Sequence, residues 1–213
     1  MNLTSRNARF LLDGLNRQQA LHASIGMLLG LAIFIGVEQT IVPRYSFAIA
    51  ADDFIPFIPM TWGVYVLFFP FVVMAAGYAQ AERFNIFKSA VLMAFIVSMG
   101  CFHFFPESVP RPDPALIDNA FLRLRFTRLW ALDQSWNGMP SLHVTVTCLS
   151  CRMLWMGRYR WLVAGTGLLI CLSTLTVKQH TLADVSGGMA LALLCSVLAE
   201  KTRVRSTLYG RAE

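Results

Sequence analysis

The chain predicts an all-α fold, a bundle of six transmembrane helices, and three observations carry that reading. Hydrophobic residues make up 56% of its 213 positions and charged residues 14%, with a mean hydropathy of +0.55. That leaves too little polar surface to coat a water-soluble domain of this size. The apolar residues gather into six runs, each near the roughly 20 residues that a helix needs to cross about 30 Å of hydrocarbon. Finally, the arginines and lysines fall between those runs on alternate sides, as membrane topology demands.

Taken in order, Met1 to Ala20 is polar and arginine-bearing. It lacks the charged tip and immediate apolar core of a cleavable signal peptide, so residues 1–20 read as a cytoplasmic interfacial segment. The six spans run from Leu21 to Val42, Thr61 to Ala79, Phe87 to Phe105, Met139 to Met156, Trp161 to Val177 and Leu182 to Ala199. The last three are shorter and carry polar strings at their ends. Residues 107–138 read as a long external loop between spans three and four, and 200–213 as a cytoplasmic tail. With no internal repeat and no second core, residues 1–213 are predicted to form one membrane-embedded domain.

Orientation follows from charge. Arg6, Arg9 and Arg17 precede span one, Arg83 and Lys88 join two and three, Arg152, Arg158 and Arg160 join four and five, and Lys201, Arg203, Arg205 and Arg211 follow six. These share one side, leaving Arg44, Arg111, Arg123, Arg125, Arg128 and Lys178 for the other. The positive-inside rule then places both termini in the cytoplasm. The isoelectric point near 9.4 reflects this topology rather than a nucleic-acid partner. Cys101, Cys148, Cys151, Cys171 and Cys195 are odd in number and lie inside predicted spans, which favours packing over a disulfide framework.

Two strings interrupt the apolar pattern: Met139-Pro140-Ser141-Leu142-His143 and Lys178-Gln179-His180-Thr181-Leu182-Ala183-Asp184. Ionisable groups at membrane depth are costly and so point to function. In the predicted topology both strings, and Arg111, emerge on the external face and can meet there. His180 and Asp184 are four apart, which in a helix puts them on one face. The carboxylate then holds one imidazole nitrogen and leaves the other as a nucleophile. Pro140 suits a first helical turn, so that free N–H groups at Ser141 and its neighbours face an anion. One turn deeper, His143 is placed to protonate a departing alkoxide and then deprotonate water. Arg111 and Lys178 are candidates for the nonbridging oxygens of a phosphoryl group. This scheme uses no metal and no cofactor.

The residues leave plainer readings open. Arg111 before Pro112 also suits a headgroup contact, and a lysine at a helix end commonly snorkels, as Lys178 would. His22 and His103 read as helix-to-helix hydrogen bonders, and Asn137 and Gly138 as shapers of the entry to span four. Within the long loop, Phe121 to Trp130 mixes arginines with Phe121, Leu122, Leu124, Phe126 and Leu129, which suits a helix lying in the headgroup layer. Arg125 and Arg128 share one face of that helix and are candidates to recruit an acidic lipid head, beside the simpler role of anchoring to anionic lipid. Rival classes are a haem protein with histidines between helices, a zinc site at His143, His180 and Asp184, and a transporter. The first two leave Pro140-Ser141 and Arg111-Pro112 unexplained; against the third, the charges cluster at one face rather than at mid-membrane.

On these strings the chain resembles the type 2 phosphatidic acid phosphatase superfamily, which includes vanadium haloperoxidases and inositol-phosphorylceramide synthases. The resemblance covers roughly Phe105 to Gly188. The family's Pro-Ser-x-His is matched by Pro140, Ser141, Leu142 and His143. Its His, three residues, Asp is matched by His180 and Asp184 with Ser173 seven residues before, and its Arg-Pro by Arg111 and Pro112. Two cations of the common pattern are replaced, by Phe104 and Thr174. Pro-Ser-Leu-His, Lys-Gln-His and the proline-rich Phe105 to Pro112 string look more like the inositol-phosphorylceramide-synthase branch. The resemblance implies a lipid phosphatase acting through a phosphohistidine at the external face, or a phosphotransferase moving a phospho-headgroup to a lipid alcohol. The partners it implies are a membrane lipid phosphate and the bilayer. Neither the lipid's identity nor the oligomeric state is legible in these motifs.

Overall fold

The computed structural model describes residues 14–209, with side chains as far as Arg203. Most of the predicted 1–20 segment, with Arg6 and Arg9, and part of the 200–213 tail, with Arg211, lie outside the described residues. The helices are α1 (Arg17–Glu38), α2 (Trp62–Val66), α3 (Phe68–Tyr78), α4 (Ala81–Phe104), α5 (Ala120–Leu132), α6 (Leu142–Met153), α7 (Arg160–Thr176) and α8 (Leu182–Tyr209). Short 3-10 turns occupy Ala50–Phe54, Pro59–Thr61 and Pro114–Leu116. Among the described residues no strand forms; extended segments meet only in isolated bridges, Tyr45 with Glu107 and Ser108 with Trp136.

Local chemistry starts several of these helices. The Asn16 side chain accepts from the amides of Gln18 and Gln19 at the head of α1, Asn119 from Leu122 at α5, and Ser141 from Val144 at α6. Each satisfies an N–H that would otherwise have no intrahelical partner.

Four stretches are long and apolar enough to cross a membrane: Arg17–Glu38, Pro59–Tyr78, Ala81–Phe104 and Leu182–Arg203. They coincide with predicted spans one, two, three and six. The predicted fifth is α7, apolar but shorter at 17 residues. The predicted fourth is α6, whose 12 residues reach about 18 Å at 1.5 Å per residue. By length and composition, then, four of the six expected spans are met. The reason α6 falls short lies in its surroundings. It packs against α3, α4, α7 and α8, so protein rather than lipid covers it. It can therefore bury Thr145, Thr147 and Ser150, which hydrocarbon would penalise.

The core between α3, α4, α6 and α8 uses small residues, including Ala75, Ala76, Ala90, Ala94, Ala192 and Ala199. These let helix backbones approach closely where lipid removes the usual hydrophobic drive. At Gly188 of α8 the approach is backbone to backbone, and a Cβ there would sit 2.7 Å from the Ser141 carbonyl oxygen. Thr145 Oγ1 ties the crossing by donating to the carbonyls of Ser141 at 2.8 Å and Gly188 at 3.0 Å. The heads of α6 and α8 are thereby held together. The segment predicted as a loop carries α5, whose buried Leu122 and Phe126 pack with Tyr65, Ile117 and Val177. It forms a roof over the same end of the bundle.

Candidate active site

The head of α8 is built by a reciprocal cap. Asp184 Oδ2 accepts the Thr181 N–H at 2.8 Å, and Thr181 Oγ1 accepts the Asp184 N–H at 3.3 Å. This is the capping-box exchange, with aspartate as the acid. The Leu182 N–H finds a further acceptor in Asp52 Oδ1, 2.8 Å away. Asp184 is fully buried, and the same Oδ2 meets His180 Nδ1 at 3.3 Å. His180 therefore reaches its carboxylate as expected, but from just before the helix rather than from one face of it. The cap, not helical periodicity, makes the contact. Upstream, the amides of Gln179 and His180 both donate to the Thr174 carbonyl. The backbone turns there at Lys178, which has φ 56°.

His143 faces this pair from α6, with ring centroids 6.1 Å apart. Aromatic packing surrounds it. Its ring stacks on Tyr65 at 4.8 Å and tilts against Phe68 at 4.3 Å, and its buried Nε2 has no hydrogen-bond partner.

Arg111 lies on the other side of the opening. Its Nη1 donates to the Asp133 carbonyl at 2.6 Å, and its Nη2 to Asp133 Oδ1 at 2.8 Å and to Gln179 Oε1. The guanidinium lies over Trp130 at 5.7 Å, and its buried Nε is unpartnered. Fixed at three points, this cation is pre-oriented rather than mobile.

Other predicted residues are placed differently. Ser141 caps α6, and its own N–H donates to the Asp184 carbonyl at 3.1 Å. That amide is consumed in joining α6 to α8, so it is not free for an anion as the sequence suggested. Lys178 Nζ donates to the carbonyls of Asp52 at 3.2 Å and Ile55 at 2.6 Å, fastening the α1–α2 connection to the site. Thr174, where the family pattern carries a cation, is buried and bonds back to the Cys171 carbonyl. Arg125 and Arg128 are exposed on α5, with Arg125 lying over the rings of Phe121 and Trp62.

A cavity of about 710 Å³ joins these groups. Arg111, Asn137, Gly138, His143 and His180 line one end, with Arg125 and Arg128 beside them. From there it runs between α1, α3 and α4 past Phe34, Phe95 and Met27 to His22 and Lys88. Its α1 lining extends from His22 to Ile35, about 20 Å of helix. A polar mouth thus opens onto a long apolar channel. Among the described residues no three His, Cys, Asp or Glu side chains converge as a metal site requires.

Two buried carboxyls went unread in the sequence. Glu38, at the end of α1, accepts the Trp136 N–H at 3.2 Å; a glutamate closing an apolar span is itself a signal. Glu107, next to Pro106, is fully buried beside Asp184. No periodicity or spacing marks it, because its neighbours come from distant segments.

A family model described as the PAP2 superfamily matches residues 57–198. The inositol phosphorylceramide synthase catalytic subunit aur1 of Schizosaccharomyces pombe is 35% identical over 74 residues, 34% of this chain. Those residues span only 18% of that relative's own length. No solved structure matches. The family match runs from just before the Pro59 turn into α8 and takes in Arg111, His143, His180 and Asp184; on that extent the chain belongs to the PAP2 superfamily.

Proposed function

We propose that the protein is a metal-independent membrane lipid phosphatase that hydrolyses a lipid phosphate monoester or diphosphate through a phosphohistidine at His180. One observation carries the reading: the capped His180–Asp184 pair faces His143 across the polar mouth of a channel that is otherwise apolar. With Nδ1–H donating to Asp184, the His180 Nε2 lone pair attacks phosphorus. The P–N bond forms as the P–O bond to the leaving alcohol breaks, and His143 supplies the proton that alcohol needs. Water then gives a proton to His143 and attacks phosphorus, releasing His180 and phosphate. Arg111 stabilises the nonbridging oxygens, its unpartnered Nε and the second Nη1 N–H being the donors left for them. Arg125 and Arg128 recruit the acidic head at the rim, the channel holds the lipid tail, and Ser141 and Lys178 hold the frame. The site opens on the external face of a six-span bundle with both termini cytoplasmic, the side that charge distribution favours.

The second reading is transfer of the phosphoryl-containing group to a lipid alcohol. It is favoured by the similarity to the synthase subunit and by a channel apolar enough to bring a second lipid to His180. The two differ only in the acceptor at the second step. The test is phosphate release from a panel of lipid phosphates in detergent with chelator, comparing the parent with His180→Ala and analysing lipid products. Release that falls at least about a thousandfold in the variant supports the phosphatase. A His180-dependent new phospholipid without release means transfer, and full activity in His180→Ala overturns both.

A further inference from the structure

Behind His180 lies a carboxyl that the reaction above does not use. Glu107 is fully buried, and its backbone is clamped on two sides. Tyr45 pairs with it in a bridge, and the Asn137 N–H donates to its carbonyl at 2.9 Å. Its side chain lies against that of Asp184, within hydrogen-bond reach.

Taken as two carboxylates, this contact is acceptor against acceptor. The backbone amides of Phe47 and Met139 approach the Glu107 carboxyl, but neither makes a well-formed hydrogen bond to its oxygens, and Asp184 Oδ1 likewise has no partner. Two bare charges sharing a buried site are strongly disfavoured. There is little room to relieve them, since even a Cβ at Gly138 would come within 2.6 Å of Asp184 Oδ2. A single proton between the two side chains removes the repulsion and satisfies an orphaned atom on each. We propose that Glu107 holds this proton and donates it to Asp184, making Glu107 a positioning residue that aims the aspartate at His180.

In this arrangement Asp184 is held by Glu107 on one side and by the Thr181 amide on the other. Its remaining charge is directed to His180 Nδ1. Titratable and charged groups on the surrounding elements are Asp184 and His180 at the head of α8, Glu38 at the end of α1, Tyr45 in the connecting segment, and Arg111 and Asp133 in the roof. Asp184 is the one in direct contact. Burial first, and then the Asp184 charge and hydrogen bond, raise the Glu107 carboxyl from the ordinary glutamate range to about 8, against the smaller opposing pull of the Phe47 and Met139 amides. The sign follows: below that pH Glu107 keeps its proton, and above it the pair becomes two repelling carboxylates and His180 loses its fixed orientation.

The inference rests on His180 as nucleophile, and the experiment separates the two. Infrared difference spectra of the full-length protein in detergent, parent against Glu107→Gln, read the proton without any turnover. A protonated-carboxyl band is expected at pH 7 in the parent and in His180→Ala, absent from Glu107→Gln, and lost with a midpoint near pH 8. The companion measurement is kcat against pH on the lipid phosphate that the parent hydrolyses. The parent should decline above about pH 8, whereas Glu107→Gln, whose amide donates at any pH, should keep its activity there. Glu107→Ala should lose about tenfold in kcat with KM little changed. A missing band at pH 7, or superimposable pH profiles for the parent and Glu107→Gln, overturns the proposal. Full activity in His180→Ala with the band still present overturns the nucleophile and leaves the shared proton standing.

Discussion

The heads of α6 and α8 meet at one place and fix their histidines by opposite means. At α8 the imidazole is set by hydrogen bonds: Asp184 holds His180, Thr181 holds Asp184, and Asp52 closes the turn. At α6 the imidazole is set by shape: Tyr65 and Phe68 pack against His143, and its Nε2 is unpartnered. The difference matches the work proposed for each. A nucleophile needs one nitrogen held as a donor so that the other presents its lone pair. A residue that alternates between acid and base needs an orientation that survives both protonation states, and packing gives one that a fixed hydrogen bond would bias.

Substitutions at the two heads test that contrast. The largest effect is expected from Asp184→Asn, which keeps size but allows His180 the wrong tautomer, and kcat should fall about 10³–10⁴-fold. His143→Gln should cost less, about 10²–10³-fold, and the loss should shrink for a substrate whose leaving group needs no proton. If Asp184→Asn retains parent activity, hydrogen bonding does not set the nucleophile. Next in size is Phe68→Leu, which opens the aromatic cage while touching no hydrogen bond of the site. Turnover should fall about tenfold, mainly in steps that use His143, since an aromatic pair contributes roughly 0.5–1.5 kcal/mol beyond its area. The smallest effect is expected from Thr181→Ala, which removes one half of the reciprocal cap. Unfolding in detergent should show a loss of about 1 kcal/mol, with Thr181→Ser restoring it. A larger stability loss at Phe68 than at Thr181, with the activity order reversed, would break the comparison.

How much could be read beforehand varies with the kind of interaction. That His143, His180 and Asp184 lie together was legible in their motif spacing, and the fold brings the three side chains to one place. Arg111 was singled out by its Arg-Pro context, and it lines the same cavity as the two histidines. The helix over Phe121 to Trp130 was legible from its mixture of arginines and apolar residues, and it forms as part of α5. Lys178 and Ser141 show the limit. Both were assigned to substrate by type and position, yet the fold turns the Lys178 ammonium onto the carbonyls of Asp52 and Ile55 and spends the Ser141 amide on Asp184. Those acceptors lie 43 or more residues away, beyond any local pattern. The same limit explains why Glu107 was missed, and why the packing that lets α6 be short and bury Thr145, Thr147 and Ser150 could not be read from its own residues.

Taken alone, the sequence determined the class, the apolar segments and the polar motif strings that hold His143, His180 and Asp184, because hydropathy and short motif spacing are properties of neighbours along the chain. The tertiary structure decided which donors are already spent, which carboxyls share a proton, and how a polar mouth joins an apolar channel. Those outcomes depend on burial and on contacts between distant segments, and both exist only once the helices have packed.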